Sequence, residues 1–286
     1  MIERNRLLDW LSHGVLWIGL CLIVFPLYIA LVASTHSAET LAQSPLPIWL
    51  GDQGWANYRA ILGGEGGEGG GVAAELPVAR MLSVSLVMAL LISVGKIVIS
   101  LLSAFAIVYF RFRFRLLCFW AIFVTLMLPV EVRIVPTYQV IADFGLINSY
   151  AGLTVPLIAS ATATFLFRQF FLTVPDELVE AAKVDGASPL RFLRDILLPL
   201  SRTSIAALFV IQFIYGWNQY LWPLLVSTDE NMYPIVMGIK RMISGGDARI
   251  EWNLVMATAM LAMLPPAAVV VLMQKWFVKG LVDSEK

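Results

Sequence analysis

The sequence predicts an all-α membrane protein of six transmembrane helices, with an organised cytoplasmic loop between the fourth and fifth spans. Three observations carry this. Of 286 residues, 59% are hydrophobic and 14% charged, against roughly 45–50% and about 25% in ordinary soluble domains. Six apolar runs approach the roughly 20 residues needed to cross a bilayer core. The basic residues gather in alternate connections between those runs.

The runs cover about 14–34, 81–110, 116–138, 153–171, 204–227 and 253–274, within a single domain of 1–286. Each is expected to be helical, because backbone polar groups in lipid must be satisfied inside the segment. The first is long, and no convincing small-residue cleavage pattern follows Ser34, so it reads as a retained anchor and not as a signal peptide. Pro26, Pro129, Pro136, Pro156, Pro223 and the pair Pro265-Pro266 punctuate every span but the second, where bundles tolerate them as kinks.

Orientation follows from the placement of charge. With the N-terminus inside, the cytoplasmic segments hold 13 Lys and Arg residues, the outer segments six, and Lys96 lies within a span. The cluster Arg111, Arg113, Arg115 alone is a strong inward signal, so both termini are expected in the cytoplasm. Twenty basic residues balance twenty acidic ones, which gives no reason to expect a nucleic-acid partner. Cys21, Cys118, His13 and His36 are too scattered for a metal site or a disulfide framework. The outer loop at about 35–80 contains GGEGGEGGG at Gly63–Gly71, a flexible tether to which no site is assigned.

The connection at 172–202 is of another kind. TVPDELVEAAKVDGASPLRFLRDILLPLSR reads as two short helices. Thr173 and Asp176 have capping-box spacing, Pro175 suits a first turn, and Asp176 and Glu177 complement the helix dipole. Leu178, Ala181 and Ala182 are placed on one side. Gly186 supplies a left-handed end, Ser188-Pro189 starts the second helix and Pro199 stops it. Helices this short are marginal alone and must dock on something. From shape alone, an interfacial helix lying under the membrane fits as well as a docking element.

The residues then add a resemblance. Glu180-Ala181-Ala182, three residues, Gly186, nine residues, Ile196, one residue and Leu198-Pro199 resemble the EAA loop of bacterial ABC-importer permeases at every defined position. That resemblance implies a coupling helix inserted into a groove of an ATP-binding subunit, with Glu180 facing a basic residue there and Asp185-Gly186 making the turn. FLFRQFF at 165–171 and Trp217-Asn218 are similar to the carbohydrate-uptake branch, and within it the chain resembles the permeases of sn-glycerol-3-phosphate importers. The partners so implied are a second, non-identical permease, a dimer of ATP-binding subunits, an extracytoplasmic solute-binding protein and the bilayer of a bacterial inner membrane. ATP and Mg would sit on the partner ATPase, with no cofactor in this chain, since no G-x-x-x-x-G-K-[ST] loop is present. The chain is accordingly expected to be a transport subunit and not an enzyme.

Intramembrane charges mark candidate substrate-pathway positions, because they are costly and commonly face a cavity or each other. These are Lys96 in the second span and Glu131 and Arg133 in the third. A lysine suits phosphate as a point charge, although a Lys96–Glu131 pair or an Arg133 that snorkels outward is equally in keeping with the pattern. Tyr215, Trp217, Asn218 and Gln219 suit a polyol path by stacking and hydrogen bonding, or an interfacial aromatic belt. Competing readings are the same importer class with a glycerophosphodiester or another carbohydrate as cargo, and an ATP-independent channel or carrier.

Overall fold

The computed structural model describes residues 6–63, 76–125, 130–244 and 250–282, and every regular element among them is helical. Beyond Gly63, the glycine-rich tether lies outside the described residues. Among the described residues, three helical stretches are long and apolar enough to cross a membrane alone: Trp10–Ala33, Val78–Tyr109 and Trp252–Trp276. Two bent helix pairs qualify when each is taken as one span. The chain forms two compact units, Met1–Ala79 with Gly238–Met263, and Arg80–Met237 with Leu264–Lys286.

In the first unit, α1 (Arg6–Ala33) leads through the short α2 (Ala38–Leu41) to α3 (Gly54–Gly63). Val15, Leu16, Ile23 and Phe25 of α1 are all exposed, a surface that lipid accommodates and water does not. Asn57 of α3 organises the polar end of this unit. Its Nδ2 donates to the Ser34 and His36 carbonyls at 2.9 and 2.8 Å, and its Oδ1 accepts from Asn253 Nδ2 at 2.9 Å. A buried amide is stable only when so satisfied.

The second unit is built along α4 (Val78–Tyr109). Its N-terminal half contributes Val84, Met88 and Ile92 to one apolar cluster, with Ile141, Leu153, Leu157, Trp222 and Val226. The C-terminal half contributes Ile97, Leu101, Ala104 and Phe105 to another, with Phe167, Phe171, Ala182, Phe192 and Leu197. Between the two clusters lies a polar layer that includes Ser93, Lys96, Ser100 and Gln212, each buried.

The elements around α4 depart from the predicted spans in instructive ways. The predicted third span, 116–138, is occupied by α5 (Arg115–Val124) and α6 (Val130–Asp143), with 126–129 outside the described residues. The fourth is bent by 49° between α7 (Tyr150–Leu157) and α8 (Ala161–Leu172). Pro156 removes a backbone donor, and the Ser160 hydroxyl accepts from Ala163 N at 3.3 Å, capping a fresh helix start. The predicted fifth span, 204–227, ends early: α11 (Arg202–Trp217) is followed by a separate α12 (Leu221–Val226). Gln219 Nε2 donates back to the Tyr215 carbonyl at 3.0 Å and closes the α11 terminus. The chain continues through α13 (Ile235–Ile243) to α14 (Trp252–Val282).

The 172–202 loop holds α9 (Asp176–Val184) and α10 (Pro189–Leu200), and α10 meets α11 at 75°. Ser188 caps α10 as expected, accepting from Arg191 N at 3.3 Å. One local expectation is corrected. Thr173 does not cap α9; its hydroxyl donates to the Phe170 carbonyl at 2.7 Å and closes α8, leaving Pro175 at the N-cap. α10 ends at Leu200, just past Pro199, and residues Leu193–Leu197 ahead of the proline form a π turn.

Candidate functional site

Two regions carry the residues singled out from sequence. The first is the α9–α10 loop. Gly186 has φ +69°, and its N–H donates to the Lys183 carbonyl at 3.0 Å while Ala187 N–H donates to the Ala182 carbonyl at 2.9 Å. These two bonds are a Schellman ending, which needs a residue in the left-handed region. Ala182, Ile196 and Leu198 pack into the apolar cluster under the loop. Glu180, Ala181, Asp185, Gly186 and Pro199 are exposed. The motif is thus divided: one set anchors the loop and the other presents it.

Along α9, Ala182 is turned inward with Val179, one turn from Leu178 on the same helix surface. The outward face carries Leu178, Ala181 and Val184, the last 88% exposed, together with the carboxylates of Glu177 and Glu180.

The second region is a cavity of about 470 Å³ at the polar layer of α4. It is lined by Lys96, Ser103, Arg133, Ser160, Thr162 and Tyr215, among others. Lys96 is 6% exposed. Its Nζ donates to Gln212 Oε1 at 3.0 Å and lies 3.6 Å from the Tyr215 ring centroid. Both partners are neutral. Arg133, Pro156 and Leu157 also border a smaller cavity of about 80 Å³, to which Gln219 and Trp222 contribute. Trp217 lines neither; it is buried and stacked on Phe213 with ring centroids 5.9 Å apart. Asn218 is exposed at the α11 terminus, and the Glu131 side chain lies outside the described residues.

Sequence reasoning missed three contributors. Gln212, buried at 7% exposure, is the amide that holds Lys96. Ser160 sits where the fourth span breaks. Gly95 allows α4 to approach that break, since a Cβ there would lie 2.7 Å from Ile158 Cγ2. A polar S-A-T-A-T stretch four residues after Pro156, inside an apolar run, was the signal for the break.

Residues 96–283 match the family model described as binding-protein-dependent transport system inner membrane component. The chain belongs to this family. Curated relatives agree with that membership. The sn-glycerol-3-phosphate transport system permease proteins of Rhizobium meliloti and Agrobacterium fabrum are each 58% identical over 286 residues, covering 100% of this chain and of the relative. That of Pectobacterium atrosepticum is 58% identical over 287 residues, again with complete coverage of both.

Among solved structures, a chain of a bacterial ABC transporter involved in the import of the acidic polysaccharide alginate superposes with TM-score 0.81. It is 19% identical, with 97% of this chain and 99% of that one covered. The bacterial alginate ABC transporter in complex with alginate pentasaccharide-bound periplasmic protein gives TM-score 0.61 at 15% identity, covering 93% of each chain. At such identities the likeness is one of fold. As a binding-protein-dependent inner-membrane component, the chain is a transport subunit and not an enzyme.

Proposed function

We propose that this chain is one of two unlike permease subunits of an ABC importer that carries sn-glycerol-3-phosphate across the inner membrane by ATP-driven alternating access. The observation that carries it is identity of 58% over the whole length to permeases named for that cargo. The α1, α4 and α14 helices, the bent pair α7–α8, α11 with α12, and the α5–α6 segment make up six spans, with both termini in the cytoplasm. The outward face of α9 docks in a groove of an ATP-binding subunit, where Glu180 meets a basic residue. ATP and Mg are held by that partner. A second permease and an extracytoplasmic solute-binding protein complete the importer.

Docking through α9 also provides the mechanical link. Ala182, Phe192 and Leu197 of the loop share one packed cluster with Leu101 and Phe105 of α4 and Phe167 of α8. Close-packed interiors transmit displacement instead of absorbing it, so a shift of α9 moves the helices that wall the Lys96 cavity. That cavity is the substrate path in this chain.

Proteoliposomes holding the two permeases and the ATPase, supplied with the binding protein, provide the test. ATP-dependent accumulation of labelled sn-glycerol-3-phosphate, unaffected by excess maltose, is the expected result. Accumulation without the ATPase overturns the importer reading, and preferred uptake of glycerophosphocholine or maltose overturns the cargo.

A further inference from the structure

The break between α7 and α8 opens onto the same cavity as Lys96 and Arg133. At a helix start the first N–H groups have no acceptor within the helix and carry the positive end of the dipole. In α8 the third of these is taken by the Ser160 cap. The N–H groups of Ala161 and Thr162 belong to residues that line the cavity.

The break is held rigidly. The Ser160 carbonyl accepts from Ser100 Oγ at 3.1 Å, from Thr164 Oγ1 at 2.9 Å and from Thr164 N at 3.1 Å. Gly95 brings α4 against Ile158, one turn from the start of α8, and the next residue along α4 is Lys96. Gln212 engages one of the three ammonium hydrogens of Lys96. Lys96 and Arg133 line one cavity with like charge, and an anion between them offsets their mutual repulsion.

We propose that the broken fourth span is the anion-binding element of the substrate path: the Ala161 and Thr162 N–H groups, Lys96 and Arg133 together receive the phosphate monoester of the cargo. This rests on the reading of the chain as a sn-glycerol-3-phosphate permease. Hydrogen-bond donors fixed by Ser100 and Thr164 need no reorganisation when the phosphate arrives. Placing the phosphate at a helix start also lets it bind through backbone groups that remain strong donors in any protonation state of the side chains. The apolar clusters on either side of the polar layer leave this level of the bundle as the place where a charged cargo finds partners.

Ala161→Pro tests it with little other disturbance. Proline at the first helical position keeps the helix and deletes one N–H, and Ser160 already has the extended backbone, φ −143° and ψ 105°, that precedes a proline comfortably. Lys96→Gln tests the charge by an independent route. The measurement is ATP hydrolysed per labelled sn-glycerol-3-phosphate imported by the complete reconstituted importer with its binding protein.

Ala161→Pro is expected to raise that ratio about tenfold, and Lys96→Gln by at least as much, the size of a lost hydrogen bond to a charged group. Stimulation of hydrolysis by the loaded binding protein should stay near the wild-type value, which a merely misfolded permease would not preserve. Wild-type ratios in both variants overturn the anion cradle while leaving the permease reading intact. Failure of the wild-type importer to accumulate sn-glycerol-3-phosphate overturns the reading itself.

Discussion

Lys96 Nζ donates to Gln212 Oε1 across 3.0 Å, joining the middle of α4 to the middle of α11 where both side chains are more than nine-tenths buried. The bond spans 116 positions in sequence. It fixes the ammonium beside the Tyr215 ring and aims it at the wall shared with Arg133 and the start of α8.

Gln212→Leu should be more harmful than the paired change Lys96→Met with Gln212→Leu. Removing the amide alone leaves a buried charge without its acceptor, at a cost of about 1–3 kcal/mol or more. Replacing both partners with apolar groups removes the desolvation burden as well. Thermal unfolding of the detergent-purified importer in a double-mutant cycle measures this. Additive effects of the two substitutions would remove the pair from the account.

Gly95→Val should weaken transport through the geometry of the break. Even an alanine Cβ at this position would lie 2.7 Å from Ile158 Cγ2 and 3.1 Å from Ile158 Cβ. The larger residue forces α4 away from the α8 start, at a cost of about 1–3 kcal/mol. Ile158→Ala in the same chain should restore part of the lost uptake, because it vacates the volume the new side chain needs. Uptake by the Gly95→Val variant equal to wild type would show that the approach is unimportant.

At Gly186 the cost is conformational and not steric. Nothing lies within 4 Å of a Cβ built there, while φ is +69°. Gly186→Ala should cost about 1–2 kcal/mol, and the β-branched Gly186→Val more. With the end of α9 rearranged, the protein should still insert into membranes, yet uptake should become uncoupled from ATP hydrolysis. Parallel assays of insertion, hydrolysis and uptake read this out. Normal coupling in Gly186→Val would sink the docking role of α9.

Trp222→Phe should destabilise the fold by about 1–3 kcal/mol through an orphaned acceptor. Trp222 Nε1 donates to the Gly152 carbonyl at 3.0 Å within a buried site. Phenylalanine keeps most of the apolar contact with Val84, Met88 and Leu153 but offers no donor. Loss of thermal stability with normal cargo selectivity is the expected outcome. A change of cargo preference would instead assign Trp222 to the path itself.

Much of this was legible in the residues. The 59% hydrophobic content gave the membrane class, the apolar runs placed α1, α4 and α14, the EAA spacing picked out α9 and Gly186, and the Ser188-Pro189 pair marked the start of α10 before any contact was known. Those signals are local: a helix start, a left-handed turn and a run of apolar side chains each depend on a few consecutive residues. The solvent preference of a long apolar stretch needs no partner to be read.

What the sequence alone could not divide was inside from outside. Apolar side chains that face lipid look the same as those that face a packed core, so the inward turn of Ala182, the burial of Trp217 and the exposure of Leu178 were not distinguishable. The breaks at Ile158–Ser160 and after Trp217 are marked only by short polar stretches, Ser160–Thr164 and Asn218-Gln219, inside longer apolar runs. Lys96 was recognisable as an intramembrane charge, and that much followed from the cost of burying it. Its acceptor Gln212, the close approach at Gly95 and the cavity they share with the start of α8 arise only when α4, α8 and α11 pack. Partners so distant along the chain are chosen by three-dimensional proximity, which no local pattern encodes.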